Sequence, residues 1–302
     1  MVSRSAKWGF PLFTGQGNQN PAKADNRVWS RLRQNKSGMT GLILVLIFFC
    51  IAVSVAMGYL GQDWSVADGG RWESSSSRYW LGTNLLGQDI FQRSIYSVKV
   101  AFNLGFIVAL LSTGLGMISG ALAGWMSDKW ADNVIVFLTG VLDSIPFYLF
   151  VAAMAFALRG NEWSMHIAMV ATFWTTTSRL IRAEVMRLKE REFVQSAMAM
   201  GLPGYQIISR HILPNTFHIL LVQMAIVFVA AIKAEVILSF LGMGVQDGVS
   251  WGFMLAESTQ EVGAGQFNNF FAASIPLFLL LFGFNLMADA LQDAYDPRQV
   301  TP

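Results

Sequence analysis

Long runs without charged residues alternate with short clusters of charge along the chain. The runs are residues 37–62, 100–127, 144–158, 163–178, 211–232 and 262–288. Because about 20 apolar residues in a helix cross the hydrocarbon core of a bilayer, each run predicts one membrane-spanning helix. The third run reaches that length only if it begins near Val134 and takes Asp143 into the membrane. The six predicted spans are residues 40–60, 98–125, 134–158, 163–181, 215–240 and 268–288.

The runs are continuous rather than alternating, which predicts helices and not the strands of a transmembrane barrel. Composition agrees, since 54% of the residues are hydrophobic and 13% are charged, whereas a soluble domain has about a quarter charged residues. The chain has one cysteine, Cys50, which excludes a scaffold held by internal disulfides. The expected fold class is an all-α, polytopic membrane protein with six transmembrane helices.

The charged clusters differ in sign between the two sides of the predicted spans. Residues 1–39 contain seven Lys or Arg residues and one acid, whereas residues 242–270 contain no Lys or Arg. Basic connections stay in the cytoplasm, so residues 1–39 are predicted to be a cytoplasmic arm and residues 40–302 the membrane domain. Both termini are then cytoplasmic, residues 61–97 are extracytoplasmic, and the basic connection 182–214 is cytoplasmic.

Gly116, Gly120 and Gly124 recur every four residues in the second predicted span, so they lie on one face of that helix. Small residues at this spacing let another helix approach closely. The pattern predicts a tight helix contact, either within the chain or with another subunit. The alternative is the general enrichment of glycine in membrane helices.

The cytoplasmic connection, residues 182–214, is much longer than a turn. Its pattern predicts a short amphipathic helix over residues 193–200 that ends at Gly201, and a second over residues 205–212 that ends at Pro214. Apolar side chains exposed outside the membrane usually mark an interaction surface. We therefore expect a cytoplasmic partner to dock on this connection.

Asp143, Lys233 and Glu235 fall within predicted spans, and Asp289 lies near the inner end of the last one. Ionisable groups in the membrane are costly and commonly face a cavity or a partner, so these are candidates for a polar path or its gate. The alternative is structural pairing, for example of Asp143 with Lys233, or support of a subunit interface. Lys233 and Glu235 are two residues apart, so they do not share a helix face.

No residue pattern predicts catalysis, nucleotide binding or a metal site. A phosphate-binding loop needs Gly-x-x-x-x-Gly-Lys-Ser/Thr, and the chain contains no Gly-Lys pair. His211 and His218 are seven residues apart with Pro214 between them, whereas two ligands on one helical face are three or four apart. We expect neither a resident cofactor nor a nucleic-acid partner.

Several motifs together resemble one family of membrane proteins. Glu192 to Gly201, followed by His211-Ile212-Leu213-Pro214-Asn215, is similar to the "EAA" coupling loop of ABC importer permeases. Other stretches resemble the C-type permease subunit of dipeptide and oligopeptide (peptide/nickel) importers, in the family's order over residues 30–298. These stretches are residues 81–93, 143–146, 235–244, 250–252 and 285–298.

The resemblance implies the type I ABC importer permease fold (MetI-like) with an extra N-terminal helix, in the bacterial inner membrane. It implies a permease subunit, not an enzyme, that forms half of a translocation path for peptides. The implied partners are a second permease in a heterodimer, two ATP-binding subunits, an extracytoplasmic solute-binding protein and membrane lipid. ATP and Mg²⁺ would be bound by the ATPases, and the 193–214 loop would couple their closure to the helices.

The candidate residues form two groups. The ATPase-coupling group is Phe193, Val194, Gln195, Ser196, Ala197, Met198, Gly201, Leu213 and Pro214. The candidates for the path, its gate or the permease interface are Asp143, Pro146, Lys233, Glu235 and Asp289.

The sequence departs from the family pattern at a few positions. Gln195 and Ser196 stand where the family has the glutamate and first alanine of its motif, and Met198 replaces the usual arginine. Gln88 replaces the arginine of a Gly-Arg-Asp motif.

An importer of the same type for oligosaccharides, such as chito-oligosaccharides, or for metal chelates remains an alternative. A stand-alone secondary transporter, which would show inverted repeats, is a further one.

Overall fold

The computed structural model describes residues 33–158, 160–244 and 248–295, and most of these residues are helical. Numbered in chain order, the helices are α1 (Lys36–Ala56), α2 (Ile90–Trp125), α3 (Trp130–Ser144), α4 (Phe147–Ala157), α5 (Ser164–Lys189), α6 (Glu192–Ala199), α7 (Gly204–Ile207), α8 (Leu213–Phe240), α9 (Trp251–Gly263) and α10 (Asn268–Tyr295). Strand pairing in this part of the chain is limited to two isolated bridges. The all-α prediction is confirmed. Most of the predicted basic arm, up to residue 32, lies outside the described residues.

Among the described residues, four helices are long and apolar enough to cross a membrane: α1, α2, α10 and a helix continuous over Gly204–Phe240. The bent pair of α3 and α4 makes five if it is one span. The predicted count of six is therefore not confirmed. The remaining candidate is α5, whose 26 residues extend about 39 Å. Its second half carries Arg179 and Arg182 and ends in Arg187 and Lys189, which makes it more polar than the others.

The third predicted span, residues 134–158, is not one straight helix. α3 ends at Ser144, α4 begins at Phe147, and the two are bent by 94°. Ile145 has an extended backbone, with φ −91° and ψ 131°, because a following proline disfavours the helical conformation. Pro146 also has no N–H to continue the hydrogen bonds of α3. Pro146 therefore divides this segment into two short helices.

α2 and α5 pack at backbone distance along the glycine face of α2. A Cβ atom on Gly120 would overlap the carbonyl oxygen of Ser178 and lie 2.9 Å from Cβ of Ile181. A Cβ atom on Gly124 would lie 2.7 Å from the carbonyl oxygen of Arg182, and Gly116 faces α5 in the same way. Interiors packed this closely leave no room for added atoms. The three glycines therefore make their contact within the chain, between α2 and α5.

An ion pair joins the start of α3 to α5. The carboxylate of Asp132 accepts hydrogen bonds from Nε and Nη2 of Arg182, at 2.6 and 2.8 Å, and from the backbone N–H of Asp128 at 3.0 Å. The Asp132 side chain is 3% exposed. Two parallel bonds between guanidinium and carboxylate are the strongest geometry of such a pair. This pair fixes α3 against the segment of α5 that leads to α6.

Replacing Asp132 by asparagine should lower the free energy of unfolding by about 2 kcal/mol, because a partly buried guanidinium loses its charged partner. Thermal melting of the purified protein, followed by circular dichroism, measures this change. Glu162→Gln, at an exposed position, is the matched control and should melt as the wild type does. Equal melting temperatures for the two variants would contradict a stabilising role of the pair.

Aromatic rings from α2, α8 and α10 meet inside the helix bundle. Phe228 stacks on Phe284 with ring centroids 3.9 Å apart, and Phe102 lies 5.5 and 6.2 Å from these two rings. Gly105 makes room for the cluster, since a Cβ atom there would lie 2.7 Å from the ring of Phe228. Offset ring contacts add to the burial of these large side chains. The cluster sets the distance between three of the spanning helices.

Residues 57–89, between α1 and α2, pack against α9 and α10. The backbone N–H of Leu85 donates a hydrogen bond to Oε1 of Glu261 at 2.8 Å. Nδ2 of Asn268 donates to the carbonyl oxygen of Leu81 at 3.1 Å. Hydrogen bonds that satisfy buried polar groups also orient the segments that carry them. The segment is thus attached to the same end of the bundle as α9.

Arg93 connects this segment to α9. Its side chain is 3% exposed, Nη2 lies 2.6 Å from Oε2 of Glu257, and Nη1 donates a hydrogen bond to Oε1 of Gln88. The pKa of the Glu257 carboxyl is raised overall, because burial raises it by more than the positive charge of Arg93 lowers it. Gln88, where the chain departs from the family motif, therefore supplies an acceptor for a buried guanidinium.

Candidate functional site

The helix α6, in the connection between α5 and α8, is held by its inner face. Val194 is 0% exposed and Ala197 is 1% exposed. Both belong to an apolar cluster at the ends of α2, α5 and α8, hereafter the end cluster. Its buried members are Ala121, Ile181, Val185, Leu188, Val194, Ala197, Ile207, Ile212 and Leu220. Burying a valine side chain is worth about 1.5–3 kcal/mol, so α6 is firmly attached to the ends of these longer helices.

The side of α6 that points away from the end cluster is exposed. We define the outer face of α6 as the exposed side chains of Phe193, Gln195 and Ser196, of the cap residue Met200, and of Tyr205 in the neighbouring α7. Phe193 is 43% exposed, Met200 is 74% exposed and Tyr205 is 70% exposed. Nε2 of Gln195 donates a hydrogen bond of 2.9 Å to the backbone at the end of α5, and Ser196 is exposed beside it. Large apolar groups at a surface outside the lipid mark a docking site.

Gly201 ends α6 in a left-handed conformation, with φ +79°. The N–H of Gly201 donates to the carbonyl of Met198 at 3.0 Å, and that of Leu202 donates to the carbonyl of Ala197 at 3.2 Å. This pair of bonds is the Schellman motif, in which glycine is strongly preferred at the left-handed position. No atom lies within 4 Å of a Cβ built on Gly201, so the backbone angle and not space requires glycine here.

The end of α2 is joined to the same connection. Nζ of Lys189, the last residue of α5, donates a hydrogen bond to the carbonyl oxygen of Trp125 at 2.9 Å and lies 5.4 Å from its ring centroid. A Cβ atom on Gly204 would lie 2.9 Å from Cε2 of the same tryptophan. A cation at a helix C-terminus is favoured by the helix dipole. α2, α5 and α7 therefore meet at Trp125.

The second predicted short helix does not end at Pro214. α7 leads through a π-helical turn, Ile208–Ile212, directly into α8, so one helix runs from Gly204 to Phe240. Pro214 cannot donate the hydrogen bond that an uninterrupted α-helix would make there, and the wider π-helical turn just before it accommodates the proline. Leu213 packs on the end cluster. The predicted boundary between residues 214 and 215 is thus a change of helical pitch, not a break.

Asp143 pairs with α5 and not with Lys233. Its carboxylate accepts hydrogen bonds from Nη1 of Arg179 and from Oγ1 of Thr175, the latter at 3.0 Å. The side chains of Asp143 and Arg179 are 33% and 54% exposed. A pair this open inside a membrane faces water or another subunit rather than lipid. Pro146 follows Asp143 by three residues, so the Asp143–Arg179 ion pair lies next to the bend between α3 and α4.

Lys233 and Glu235 lie on different faces of α8. Lys233 is exposed, whereas Glu235 is 4% exposed and accepts a hydrogen bond from Oγ of Ser239. The Oγ atoms of Ser239 and Ser250 are 3.3 Å apart, which joins this group to the N-terminal cap of α9. Asp289 is exposed on α10. The structure brings together Glu235 and two serines, but not the five path candidates.

The sequence alone does not identify Arg179 as the partner of Asp143 or Arg182 as the partner of Asp132. In the sequence the two arginines contribute only to the positive charge at the start of a connection. The usable signal is that α3 carries Asp132 and Asp143 eleven residues apart, about three turns of helix, and so on one face. An opposing helix with two arginines can satisfy both acids.

One known protein family matches more than half of the chain. The family "Binding-protein-dependent transport system inner membrane component" matches residues 112–301. The chain belongs to this family. It is a transport permease subunit of an ABC transporter and a multi-pass membrane protein that works with partner subunits. The matched region contains α6 and the whole end cluster, whereas α1 and residues 57–89 precede it.

Individual relatives match most of the chain. The dipeptide transport system permease protein DppC of Bacillus subtilis (strain 168) is 32% identical over 274 residues, which cover 89% of this chain and 84% of that protein. The oligopeptide transport system permease protein OppC of Mycobacterium tuberculosis (strain H37Rv) is 32% identical, with 88% and 92% covered. OppC of Bacillus subtilis is 30% identical, with 89% and 88% covered.

Proposed function

We propose that this subunit forms half of the translocation path of a peptide importer. The observation that carries the proposal is that relatives aligned over more than four fifths of both chains are named as dipeptide or oligopeptide permeases. No relative named above is an oligosaccharide or chelate permease, so those alternatives gain no support. A function as a stand-alone secondary transporter does not account for an exposed apolar docking face on α6.

The proposed complex contains a second, different permease, two ATPases and an extracytoplasmic solute-binding protein. ATP and Mg²⁺ bind to the ATPases, since this sequence has no phosphate-binding loop. The outer face of α6 supports an ATPase contact, and the cluster of positive charge over residues 179–210 supports a cytoplasmic position for it. Both termini then lie in the cytoplasm, and residues 57–89 face the binding protein.

The coupling proposed here follows the contacts of α6. Closure of the ATPases moves the outer face of α6, and the inner face transmits the displacement because Val194 and Ala197 are packed in the end cluster. α5 and α8 leave that cluster in the same direction. α2 follows, since it is joined to α5 by its glycines and by the Trp125–Lys189 bond. Closely packed helices move as bodies, so a push at α6 reaches the membrane interior.

The proposed path lies along the faces that expose charge. Lipid-facing positions such as those of α1 and α10 are apolar, whereas Lys233 on α8 and the Asp143–Arg179 pair are exposed within spanning segments. Exposing a charge to lipid costs several kcal/mol, so these groups face water or the second permease. In this proposal Glu235 holds α8 to α9, and Asp289 lies at the permease interface near the inner end.

Reconstitution tests this function. The chain, co-expressed with its candidate permease, ATPases and binding protein and placed in liposomes, should accumulate a labelled peptide only when ATP and the binding protein are both present. Liposomes with a hydrolysis-deficient ATPase are the control. Peptide uptake by the chain alone without ATP would overturn the importer assignment. ATP-dependent uptake of an oligosaccharide with no peptide uptake would overturn the cargo.

Substitutions of Lys233 and Glu235 are expected to have opposite effects on transport rate and thermal stability. Lys233→Met should lower the rate of peptide transport several-fold with an unchanged melting temperature, because the ammonium faces the path and the side chain is exposed. Glu235→Gln should lower the melting temperature while leaving the transport rate per folded complex close to normal, because the group it alters is buried. Uptake and thermal shift are measured on the same preparations. The reverse pattern would exchange the two assignments.

A further inference from the structure

An apolar groove opens between α1, α2, α8 and α10. Its volume is about 850 Å³, and its walls include Phe49 and Val53 of α1, Phe102 and Phe106 of α2 and Phe228 of α8. It extends over residues 45–56 of α1 and 99–109 of α2. Ten residues of helix rise about 15 Å, so the groove covers roughly half of the hydrocarbon core.

One end of this groove carries a positive charge. Lys99 and Asn103, one turn apart on α2, are its polar lining residues. Nζ of Lys99 lies 5.2 Å from the ring centroid of Tyr96, and that ring stacks on Trp64 with centroids 4.8 Å apart. Trp and Tyr side chains gather at the level of the lipid head groups, and helix side chains point toward the helix N-terminus. Lys99 therefore extends its ammonium toward the interface, where lipid phosphates lie.

The lining of the groove favours a lipid as its occupant. Nearly all of its walls are apolar, and its two polar residues, Lys99 and Asn103, lie at one end. A hydrocarbon chain matches apolar walls without hydrogen-bonding groups. The ammonium at the mouth complements a phosphate at that depth.

We propose that the groove is a binding site for one anionic phospholipid. One acyl chain lies along the walls formed by Phe49, Phe102 and Phe228, and the phosphate is bound by the ammonium of Lys99. The site is separate from the end cluster and from the charged faces of α5 and α8, and it does not depend on the identity of the cargo. The lipid would fill the space between α1 and the three helices that meet at the aromatic cluster.

Photolabelling of the assembled transporter tests the proposal. The complex is placed in phosphatidylcholine nanodiscs containing a trace of phosphatidylglycerol with a diazirine near the end of one acyl chain. A phosphatidylcholine probe with the same diazirine is the comparison, and the labelled peptides are identified by mass spectrometry. We expect groove residues of α1 and α2 to be labelled about fivefold more by the anionic probe, the effect of about one lysine at an anionic surface.

Four variants test the two ends of the lipid separately. Lys99→Gln should reduce labelling by the anionic probe to the level of the phosphatidylcholine probe, whereas Lys99→Arg and the distant control Lys129→Gln should not. Val53→Phe should reduce labelling by both probes, because it fills the groove. Size-exclusion profiles check assembly, and Lys99→Arg keeps the test decisive if Lys99→Gln does not assemble. Equal labelling by both probes, labelling insensitive to position 99, or no labelling of the groove in the assembled complex would overturn the proposal.

Discussion

Gly120→Leu is expected to prevent the permease from assembling into a stable transporter. The side chain would enter the backbone contact between α2 and α5, where even a Cβ atom overlaps the carbonyl oxygen of Ser178. Overpacking of well-filled interiors typically costs about 1–3 kcal/mol per added group, and here the obstacle is backbone that cannot rotate away. Forcing α2 from α5 also separates Trp125 from Lys189. We expect at least a tenfold lower yield of complex by size-exclusion chromatography.

Gly114→Leu is the matched control for this experiment. Gly114 lies in the same helix, six residues from Gly120, and no atom lies within 4 Å of a Cβ built there. Leucine is a better helix former than glycine, and an apolar side chain directed to lipid is tolerated. This variant should assemble like the wild type. If both variants assemble equally well, the glycine face does not set the distance between α2 and α5.

Gly201→Val should abolish the stimulation of ATPase activity by loaded binding protein while leaving the chain inserted in the membrane. A β-branched residue is strongly disfavoured at φ +79°, so the backbone must leave the Schellman motif and α6 loses its C-terminal end. The inner face of α6 stays apolar, but its outer face is no longer presented at a fixed angle. The measurement is ATP hydrolysis by reconstituted complexes with and without loaded binding protein. We expect stimulation to fall to background.

Gly201→Asn distinguishes backbone strain from bulk at the same position. Asparagine tolerates the left-handed conformation better than any β-branched residue, and the site has open space for a side chain. We therefore expect this variant to retain most of the stimulation. Loss of stimulation in both variants would mean that any side chain at this position blocks the docking surface. Normal stimulation in Gly201→Val would remove α6 from the coupling mechanism.

The apolar runs were sufficient to predict α1, α2 and α10, because length and hydropathy alone decide whether a helix can cross a membrane. They were not sufficient for α3 and α4. Pro146 indicates a possible break in the helix, but the high apolar content of residues 134–158 favours a single span. Hydropathy does not show whether the helix axis changes direction within such a run. The continuity of α8 through Pro214 was missed for the opposite reason. A π-helical turn accommodates the proline, and its hydrogen bonds cannot be read from residue types.

The helix α6 is easier to predict from the sequence than the partners of the charged groups in the spans. The apolar positions of α6 and the glycine after it are local features, so their spacing predicts an amphipathic helix and its end. The partner of Asp143 depends on how α3 and α5 are offset along one another, which no local pattern contains. Lys233 was the nearest plausible cation by residue type, yet Arg179 lies beside the acid. Long-range polar pairing in membranes requires the three-dimensional register.

The 94° bend between α3 and α4 has a consequence for biosynthesis. The two helices have 15 and 11 residues, which correspond to about 22 and 16 Å, and neither crosses a core of about 30 Å. Both acids of α3 find their arginines on α5, which is synthesised later. We therefore expect α3 and α4 to reach their final positions only after α5 has been made, because translation must pass Arg182 before both acids of α3 have their partners.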